Sequence, residues 1–193
     1  MVQRPGGADF APGAWVFPGG TVIEDDRSFE DELRAAAVRE VFEEVGILLA
    51  SDAGDAECMW VGRELRRGIS FSGSMHKAGL APDFGALVIF ARWVTPALLR
   101  RRFDTRFYFV PMPEGQTVRP QESEVSSWQW VTPARALTDP AITLVYATRA
   151  VLESVAVSAT ASELFARARG LTDIPIVEPR LVHTTNGWEV VRA

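Results

Sequence analysis

The 193-residue sequence contains a single cysteine, Cys58. One thiol cannot form a disulfide within the chain, and it also excludes a zinc site built from several cysteines. The first residues, 1–7, form neither a basic-then-apolar signal peptide nor an amphipathic transit segment. A reducing compartment is therefore the simplest interpretation, and we predict a cytoplasmic protein.

Long apolar runs and an excess of basic charge are also missing. The longest apolar run, near 86–90, is far shorter than the roughly 20 residues that a membrane-spanning helix needs. The formal net charge is −5, whereas broad nucleic-acid surfaces need basic patches that displace counterions from phosphates. We predict no membrane partner and no nucleic-acid partner, with arginine-rich segments at 63–67 and 100–102 as local exceptions.

Two common catalytic motifs are absent as well. The sequence has no Gly-x-Ser-x-Gly elbow and no Gly-Lys-Ser/Thr phosphate loop, so it does not support a serine hydrolase or a P-loop nucleotide hydrolase. It does have ample core-forming side chains, including six tryptophans and eleven phenylalanines. We predict one main domain at 1–140 and a C-terminal helix and hairpin extension at 141–193 that packs on it.

Hydrophobic periodicity predicts strands interleaved with helices, which indicates a mixed α/β (α+β) fold. Residues 1–13 are predicted as coil. The predicted strands lie at 14–17, 86–94, 105–110 and 125–131. The predicted helices lie at 29–45, in one or two segments of 57–80, at 142–157 and at 162–169.

Three short signals refine these boundaries. Thr-Pro pairs at 95–96 and 132–133 predict helix starts, because Thr caps a helix and Pro suits its first position. Gly46 is predicted to end the helix at 29–45 in a left-handed conformation. Asn186-Gly187 predicts the turn of a hairpin.

Three glutamates share one face of the helix predicted at 29–45. Glu40 and Glu44 are one turn apart and Glu43 lies beside them, within an arc of about 100°. Like charges at this spacing destabilise a helix by about 0.2–0.5 kcal/mol per pair, so a hard divalent cation would suit this face. The alternative is a solvated helix face, which is the usual meaning of paired glutamates.

Residues 39–47 read Arg-Glu-Val-Phe-Glu-Glu-Val-Gly-Ile, and a Phe-Pro-Gly-Gly loop precedes them at 17–20. The segment 39–47 resembles the second half of the Nudix hydrolase box, residue for residue. The first half departs from the box: Asp31 replaces its glutamate, and ten residues rather than five separate Gly20 from that position. The role of that glutamate is left open among four acids, which are Asp31, Glu24, Asp25 and Glu32.

Two further segments, at 12–20 and 102–107, resemble the Nudix branch related to coenzyme A and acyl-CoA diphosphatases. This resemblance implies an α/β/α sandwich with a mixed sheet and a box at about 20–47. Relatives usually carry one or two strands before the Gly-Ala-Trp-Val segment, so N-terminal strands are expected to be missing or shortened here. An uncovered sheet edge invites association, and we therefore expect a homodimer.

The resemblance implies hydrolysis of a pyrophosphate bond in a nucleoside diphosphate linked to another moiety, with Mg²⁺ or Mn²⁺ as cofactor. It implies Glu40 and Glu44 as the main metal ligands and Glu43 as a further ligand or the base that activates water. It implies that Arg39 orients these carboxylates; the alternative is a plain surface arginine.

Four other residues are candidates. Gly19 and Gly20 would let the backbone approach substrate phosphates, or they form an ordinary turn. Glu124 is predicted as a second catalytic acid or ligand, with a solvated loop acid as the alternative. Arg106 is predicted to bind a substrate phosphate, with packing across a strand pair as the alternative.

Three functions remain open at this point. CoA or acyl-CoA is the first expected substrate. ADP-ribose or a nucleotide sugar is the second. The third is a Nudix domain that binds a nucleotide without cleaving it, which the Asp at position 31 suggests.

Overall fold

The computed structural model describes residues 1–99, 102–174, 176–185 and 187–191. Arg100 and Arg101 of the predicted basic segment, and Asn186 of the predicted turn, lie outside the described residues. The strands are β1 (Val2–Gln3), β2 (Trp15–Val16), β3 (Val88–Val94), β4 (Asp104–Phe109), β5 (Ser127–Trp128), β6 (Ile176–Val177), β7 (Arg180–Thr184) and β8 (Gly187–Val191). The helices are α1 (Glu32–Val45), α2 (Asp55–Arg66), α3 (Phe71–Ala78), α4 (Pro133–Thr138), α5 (Tyr146–Val155) and α6 (Ala161–Arg169), with 3-10 turns at Glu24–Ser28 and Phe84–Ala86.

The strands form two three-stranded sheets and a hairpin. In the first sheet β1 lies between β2 and β5 and is antiparallel to both. In the second, β3 pairs antiparallel with β4 and parallel with β6, so this sheet is mixed. β7 and β8 form the predicted hairpin. Together with the helices, these sheets confirm the mixed α/β fold of the sandwich type.

The prediction of coil over residues 1–13 is wrong at its start. Val2 lies opposite Val16 on one side and Trp128 on the other, and its side chain is buried. A two-residue strand carries little periodicity of its own. Strand β1 forms because β2 and β5, which are distant along the chain, pair with it.

Helix α1 begins and ends through local chemistry. The Asp31 carboxylate accepts hydrogen bonds from the backbone N–H groups of Leu33 (3.1 Å) and Arg34 (3.0 Å), so Asp31 is the N-cap and the helix begins later than predicted. Gly46 ends the helix with φ 73°, as predicted.

Helix α1 buries one apolar face. Val38, Phe42 and Val45 face the main core, whereas Ala37 and Val41 are only partly buried. This core also takes in residues of the connection after α1 and of α2 and α3, among them Leu48, Val61, Phe71 and Met75. A second helical layer forms where α5 packs Ala150 and Val151 against Trp93 of β3.

The two Thr-Pro signals have different outcomes. Thr132 caps α4, because its hydroxyl accepts a hydrogen bond from the N–H of Arg135. Thr95 instead closes the loop between β3 and β4, where its hydroxyl accepts from the N–H of Phe103 at 3.0 Å. The helix start predicted at Thr95 is therefore wrong, and residues 95–99 are irregular or turn.

Within the described part of the chain, no helix is long and apolar enough to cross a membrane.

Candidate active site

The three glutamates of α1 lie against the glycine loop that follows β2. Glu44 is buried, and the Glu40 and Glu43 side chains retain 14% and 29% of their exposure. The N–H of Gly19 donates to Glu44 Oε2 at 3.1 Å. The loop and the acidic face predicted from the sequence are therefore in direct contact.

Both glycines suit this contact. Gly19 has φ 155°, a conformation that side-chain-bearing residues rarely adopt. A Cβ atom at Gly20 would collide with the Glu40 carboxylate. The glycine backbone therefore passes close to α1, and a role in substrate binding stays a prediction.

Arg39 is buried behind the glutamates rather than exposed at the surface. Its Nη1 lies 2.7 Å from Glu43 Oε2 and 3.0 Å from Glu40 Oε1. Its Nη2 donates to the carbonyl of Thr21 at 2.9 Å. Burial opposes the charge of Arg39, but the hydrogen bond to Asp26 and the charges of Glu40 and Glu43 raise its pKa above the ordinary value. Arg39 therefore orients two of the three carboxylates as a fixed cation.

Asp26 is the partner of Arg39 that the sequence reasoning missed. It is fully buried and accepts two hydrogen bonds from Arg39, one from Nε at 2.9 Å and one from Nη2 at 3.1 Å. It also accepts from the N–H of Ile23 at 2.8 Å, which fixes it in the 3-10 turn of the stretched loop. The spacing of the box points to Asp31 instead of Asp26. The signal in the sequence that could have identified Asp26 is the pair of acids Asp25-Asp26 in this loop.

The four acids that were candidates for the glutamate of the box have other hydrogen-bond or ion-pair partners. Asp31 caps α1, and Glu24 and Glu32 both pair with Arg27. The Asp25 carboxylate accepts hydrogen bonds from the N–H and hydroxyl of Ser72 near the start of α3.

Glu124 lies in a loop that is tied to the end of α1. The N–H of Arg119 donates to the carbonyl of Val45 at 2.8 Å, and the N–H of Gln121 donates to the carbonyl of Glu44 at 3.0 Å. These bonds bring Glu124 near enough for its charge to act on both Glu40 and Glu44. The structure thus brings the loop of Glu124, which is itself exposed, to the end of α1.

The clustering changes the acidity of these groups. Burial raises the pKa of Glu44 to about 7; the hydrogen bond from Gly19 opposes this rise, and the charges of Glu40 and Glu124 add to it. Burial also raises the pKa of Glu40, against the opposing charge of Arg39. Carboxylates that repel one another in a partly dry site favour the binding of a cation.

Arg106 is not brought to this cluster by its contacts. It lies opposite Arg92 in the pairing of β3 with β4 and is 3.5 Å from Asp104. These contacts favour its structural alternative, and a role in phosphate binding stays a prediction.

The donor set suits a hard divalent cation. Among the residues that the structure describes, no three acidic, histidine or cysteine side chains already enclose a metal position. Glu40, Glu44 and Glu124 nevertheless supply carboxylate oxygens, the ligands that Mg²⁺ and related ions prefer. Arg39 holds one oxygen of Glu40 and one of Glu43, so the other oxygen of each is left for a ligand.

The chain is similar in sequence to known Nudix proteins. The profile of the NUDT19 Nudix domain matches residues 30–144. Putative nudix hydrolase 7 of Caenorhabditis elegans is 31% identical over 138 residues, which cover 69% of this chain and 46% of that protein. Acyl-coenzyme A diphosphatase NUDT19 of Homo sapiens is 33% identical over 121 residues, covering 53% of this chain and 32% of the relative.

The NUDT19 protein of Xenopus laevis is 25% identical over 203 aligned positions, covering 72% of this chain and 53% of the relative. The chain thus spans about a third to a half of the length of these relatives. No solved structure gives a significant match. The profile covers more than half of the chain and includes the helix that carries Glu40, Glu43 and Glu44, and the chain therefore belongs to the Nudix hydrolase family, in the branch represented by the NUDT19 Nudix domain.

Proposed function

We propose that this protein hydrolyses the pyrophosphate bond of a nucleoside diphosphate linked to another group, with Mg²⁺ or Mn²⁺ as its cofactor. The observation that carries the proposal is the acidic face of α1, where Glu40 and Glu44 lie against the Gly19-Gly20 backbone. Nudix hydrolases generally use divalent metal ions. Without a cation, the same carboxylates would repel the diphosphate of the substrate.

The residues divide the work as follows. Glu40 and Glu44 would hold the cation, with Glu124 as a further ligand or catalytic acid, and Glu43 would serve as a ligand or as the base for the attacking water. Arg39 holds Glu40 and Glu43 in place, and Gly19 and Gly20 would let substrate phosphates approach the backbone. The chemistry that such a cation would supply is neutralisation of pyrophosphate charge, a lower pKa of the attacking water and stabilisation of the leaving oxygen.

Coenzyme A or an acyl-CoA is the first substrate to test, because two relatives bear the name acyl-coenzyme A diphosphatase. ADP-ribose or a nucleotide sugar is the second. In each case water adds across one phosphoanhydride bond, and two phosphate monoesters result.

A substrate panel tests this proposal. The purified protein is incubated with CoA, an acyl-CoA, ADP-ribose, NADH and diadenosine polyphosphates, in Mg²⁺ or Mn²⁺, and the products are separated by chromatography. We expect cleavage of at least one compound, loss of at least 100-fold in rate in Glu44→Gln, as expected when an electrostatic catalytic group is removed, and little change in Glu122→Gln. Glu122 is an exposed acid in the same loop as Glu124 and serves as the matched control. No turnover of any compound by the wild-type protein would contradict the proposal.

A nucleotide-binding domain without catalysis is the competing function. The reason to consider this function is the Asp at position 31. That reason is weaker because Asp26 is the carboxylate that pairs with Arg39. Calorimetry that detects tight binding of a panel compound, with no product after hours, would favour this function.

We also propose that the protein forms a homodimer in the cytoplasm. Strand β5 lies at the edge of its sheet, and Trp128 and Trp130 there are 38% and 69% exposed. Sedimentation over a range of concentrations tests the dimer, and Trp130→Glu is expected to shift it towards monomer. A fluorescent fusion imaged in cells tests the compartment.

A further inference from the structure

The stretched loop before α1 is tied to the start of α3. The Ser70 hydroxyl caps α3 by accepting from the N–H of Gly73 at 3.1 Å. The N–H of Ser72 donates instead to the Asp25 carboxylate at 2.9 Å, and the Ser72 hydroxyl donates to the same carboxylate. Asp25 thereby satisfies a backbone donor that has no acceptor within its own helix. Burial opposes the charge of Asp25, but hydrogen bonds from Ser72 and Ser70 lower its pKa below the ordinary value, so it remains an ionised acceptor.

The next residue of the same 3-10 turn binds a different helix. Asp26 accepts from Arg39 of α1, from Nε at 2.9 Å and from Nη2 at 3.1 Å. The carbonyl of Thr21, in the same loop, also accepts from Nη2 at 2.9 Å. The turn therefore joins the start of α3 to the arginine of α1, and the position of the turn sets the position of the guanidinium.

Ser72 provides a fixed anchor for this turn. In the described part of the chain, the other hydrogen bonds of residues 24–28 stay within residues 23–32, apart from those with Arg39 and with the start of α3. Among those local contacts, the ion pairs of Arg27 are exposed and contribute little. The bonds from Ser72 therefore hold the turn from the side opposite in sequence to α1.

An apolar contact between the same segments does not have this directionality. The rings of Phe29 and Phe71 lie 6.4 Å apart between centroids, and Phe71 is buried in the main core. Apolar packing is not directional, whereas two hydrogen bonds to one carboxylate fix its orientation. The bonds from Ser72, rather than the ring contact, therefore set the direction in which the turn presents Asp26.

We propose that Ser72 is a positioning residue of the candidate active site. By holding Asp25, it fixes the turn in which Asp26 meets Arg39. The Nη1 atom of Arg39 lies 2.7 Å and 3.0 Å from two glutamates of the acidic face, so a shift of the turn is passed on to both carboxylates. Where it concerns catalysis, this inference rests on the proposed function, and it adds a helix from outside the box to the support of the site.

Hydrogen exchange of the Arg39 guanidinium tests this role without substrate or cation. The Arg39 Nε–H signal is assigned by through-bond NMR, and its exchange with water is compared in wild type, Ser72→Ala and Ser72→Thr. We expect exchange to be about 10-fold faster in Ser72→Ala, the size of a weakened hydrogen bond to a charged group. Ser72→Thr keeps the hydroxyl and should behave like wild type. Unchanged exchange in Ser72→Ala would overturn the proposal.

Thr160→Ala is the matched control. The Thr160 hydroxyl also acts at the start of a helix, where it caps α6 by accepting from the N–H of Glu163 at 3.1 Å. Its removal destabilises a helix start that has no bond to the stretched loop in the described chain. Exchange of Arg39 should stay at the wild-type rate, and equal acceleration in Thr160→Ala and Ser72→Ala would overturn the proposal as a general loss of stability.

Kinetics with a substrate identified by the panel provide the second measurement. We expect Ser72→Ala to lower kcat by about 10-fold with a smaller change in KM, because displaced catalytic groups reduce the rate. In an Asp26→Ala background the same substitution should have no further effect on kcat, because the link through which it acts is already broken. Losses that multiply in the double variant would show independent effects and overturn the link.

Two other outcomes are also decisive. If Ser72→Ala does not fold, as judged by circular dichroism, Asp25→Asn carries the test, because it keeps the side-chain shape but removes the charge that Ser72 binds. Exchange of Arg39 at the wild-type rate in that variant overturns the proposal. If the wild type turns over no panel compound, the proposed function fails, whereas faster exchange in Ser72→Ala still supports the positioning of Arg39.

Discussion

At the scale of single residues, Asp26 and Arg39 form the buried ion pair of the candidate active site. Both side chains are almost fully excluded from solvent, at 0% and 4% exposure. A charge buried this way is tolerated only while its partner remains. Because Arg39 also contacts Glu40 and Glu43, the geometry of the acidic face depends on a residue that lies outside the box pattern.

We predict that Asp26→Ala lowers the free energy of unfolding by about 3 kcal/mol, the lower end for breaking a buried pair, because Arg39 keeps its contacts with Glu43 and Glu40. Denaturant unfolding measures this change. The control is Glu24→Gln, whose ion pair with Arg27 is exposed and should not contribute measurably. Equal stability of the two variants would show that Asp26 is not the anchor of Arg39.

Gly20→Ala addresses the glycine loop. Its Cβ would meet the Glu40 carboxylate, so Glu40 has to move away from its position beside Arg39. We expect kcat to fall by about 10-fold or more, since small displacements of catalytic groups have large effects on rate. Gly7→Ala, where a Cβ meets nothing within 4 Å, should keep wild-type activity in the same assay.

At the scale of elements, the end of α1 is the junction between helix and loop. Gly46 has φ 73°, and a Cβ there would lie 2.9 Å from the carbonyl oxygen of Arg119. That segment bonds to Val45 and Glu44 and leads to Glu124. The helix end therefore sets the position of the acid that comes from the loop.

We predict that Gly46→Ala destabilises the protein more than Gly79→Ala does. Gly79 also ends a helix, at φ 67°, but a Cβ there meets nothing within 4 Å. Both variants carry the strain of a left-handed residue, about 1 kcal/mol, so their difference in denaturant unfolding isolates the collision with Arg119. Gly46→Ala should also lower kcat, and equal effects of the two substitutions would contradict this role for the junction.

Elements also show why some predictions succeed. The start of α4 is correct because Thr132 finds its hydrogen-bond partner three residues later. The same Thr-Pro pair at residues 95–96 fails because Phe103, eight residues away, takes the Thr95 hydroxyl. The same Thr-Pro pair therefore starts a helix or closes a loop, depending on which hydrogen-bond partner the fold brings near the Thr hydroxyl.

At the scale of the whole molecule, a cation bound at the acidic cluster would add to the stability of the fold. Glu40 and Glu44 come from one helix and Glu124 from a distant loop, so a cation held by all three would bridge parts of the chain that separate on unfolding. A ligand that binds only the folded state stabilises that state in proportion to its affinity and concentration.

We predict that Mg²⁺ or Mn²⁺ raises the melting temperature. At about 100 times its Kd a cation adds about 2.7 kcal/mol, which for a chain of this size is a shift of about 5–10 °C. Differential scanning calorimetry measures it, with NaCl at matched ionic strength as the control. Glu44→Gln should reduce the shift, and an equal shift in NaCl would exclude specific cation binding.

The sequence by itself determined helix α1, its glycine end and the three glutamates on one face, because helical periodicity and C-capping depend on residues only a few positions apart. The resemblance of residues 39–47 to a known box depended on the same short segment. Only the tertiary structure decided that Asp26 is the partner of Arg39, that β1 exists, and that the loop of Glu124 docks on the end of α1. These contacts join segments that sheet pairing and loop docking bring together, and local periodicity carries no information about such long-range partners.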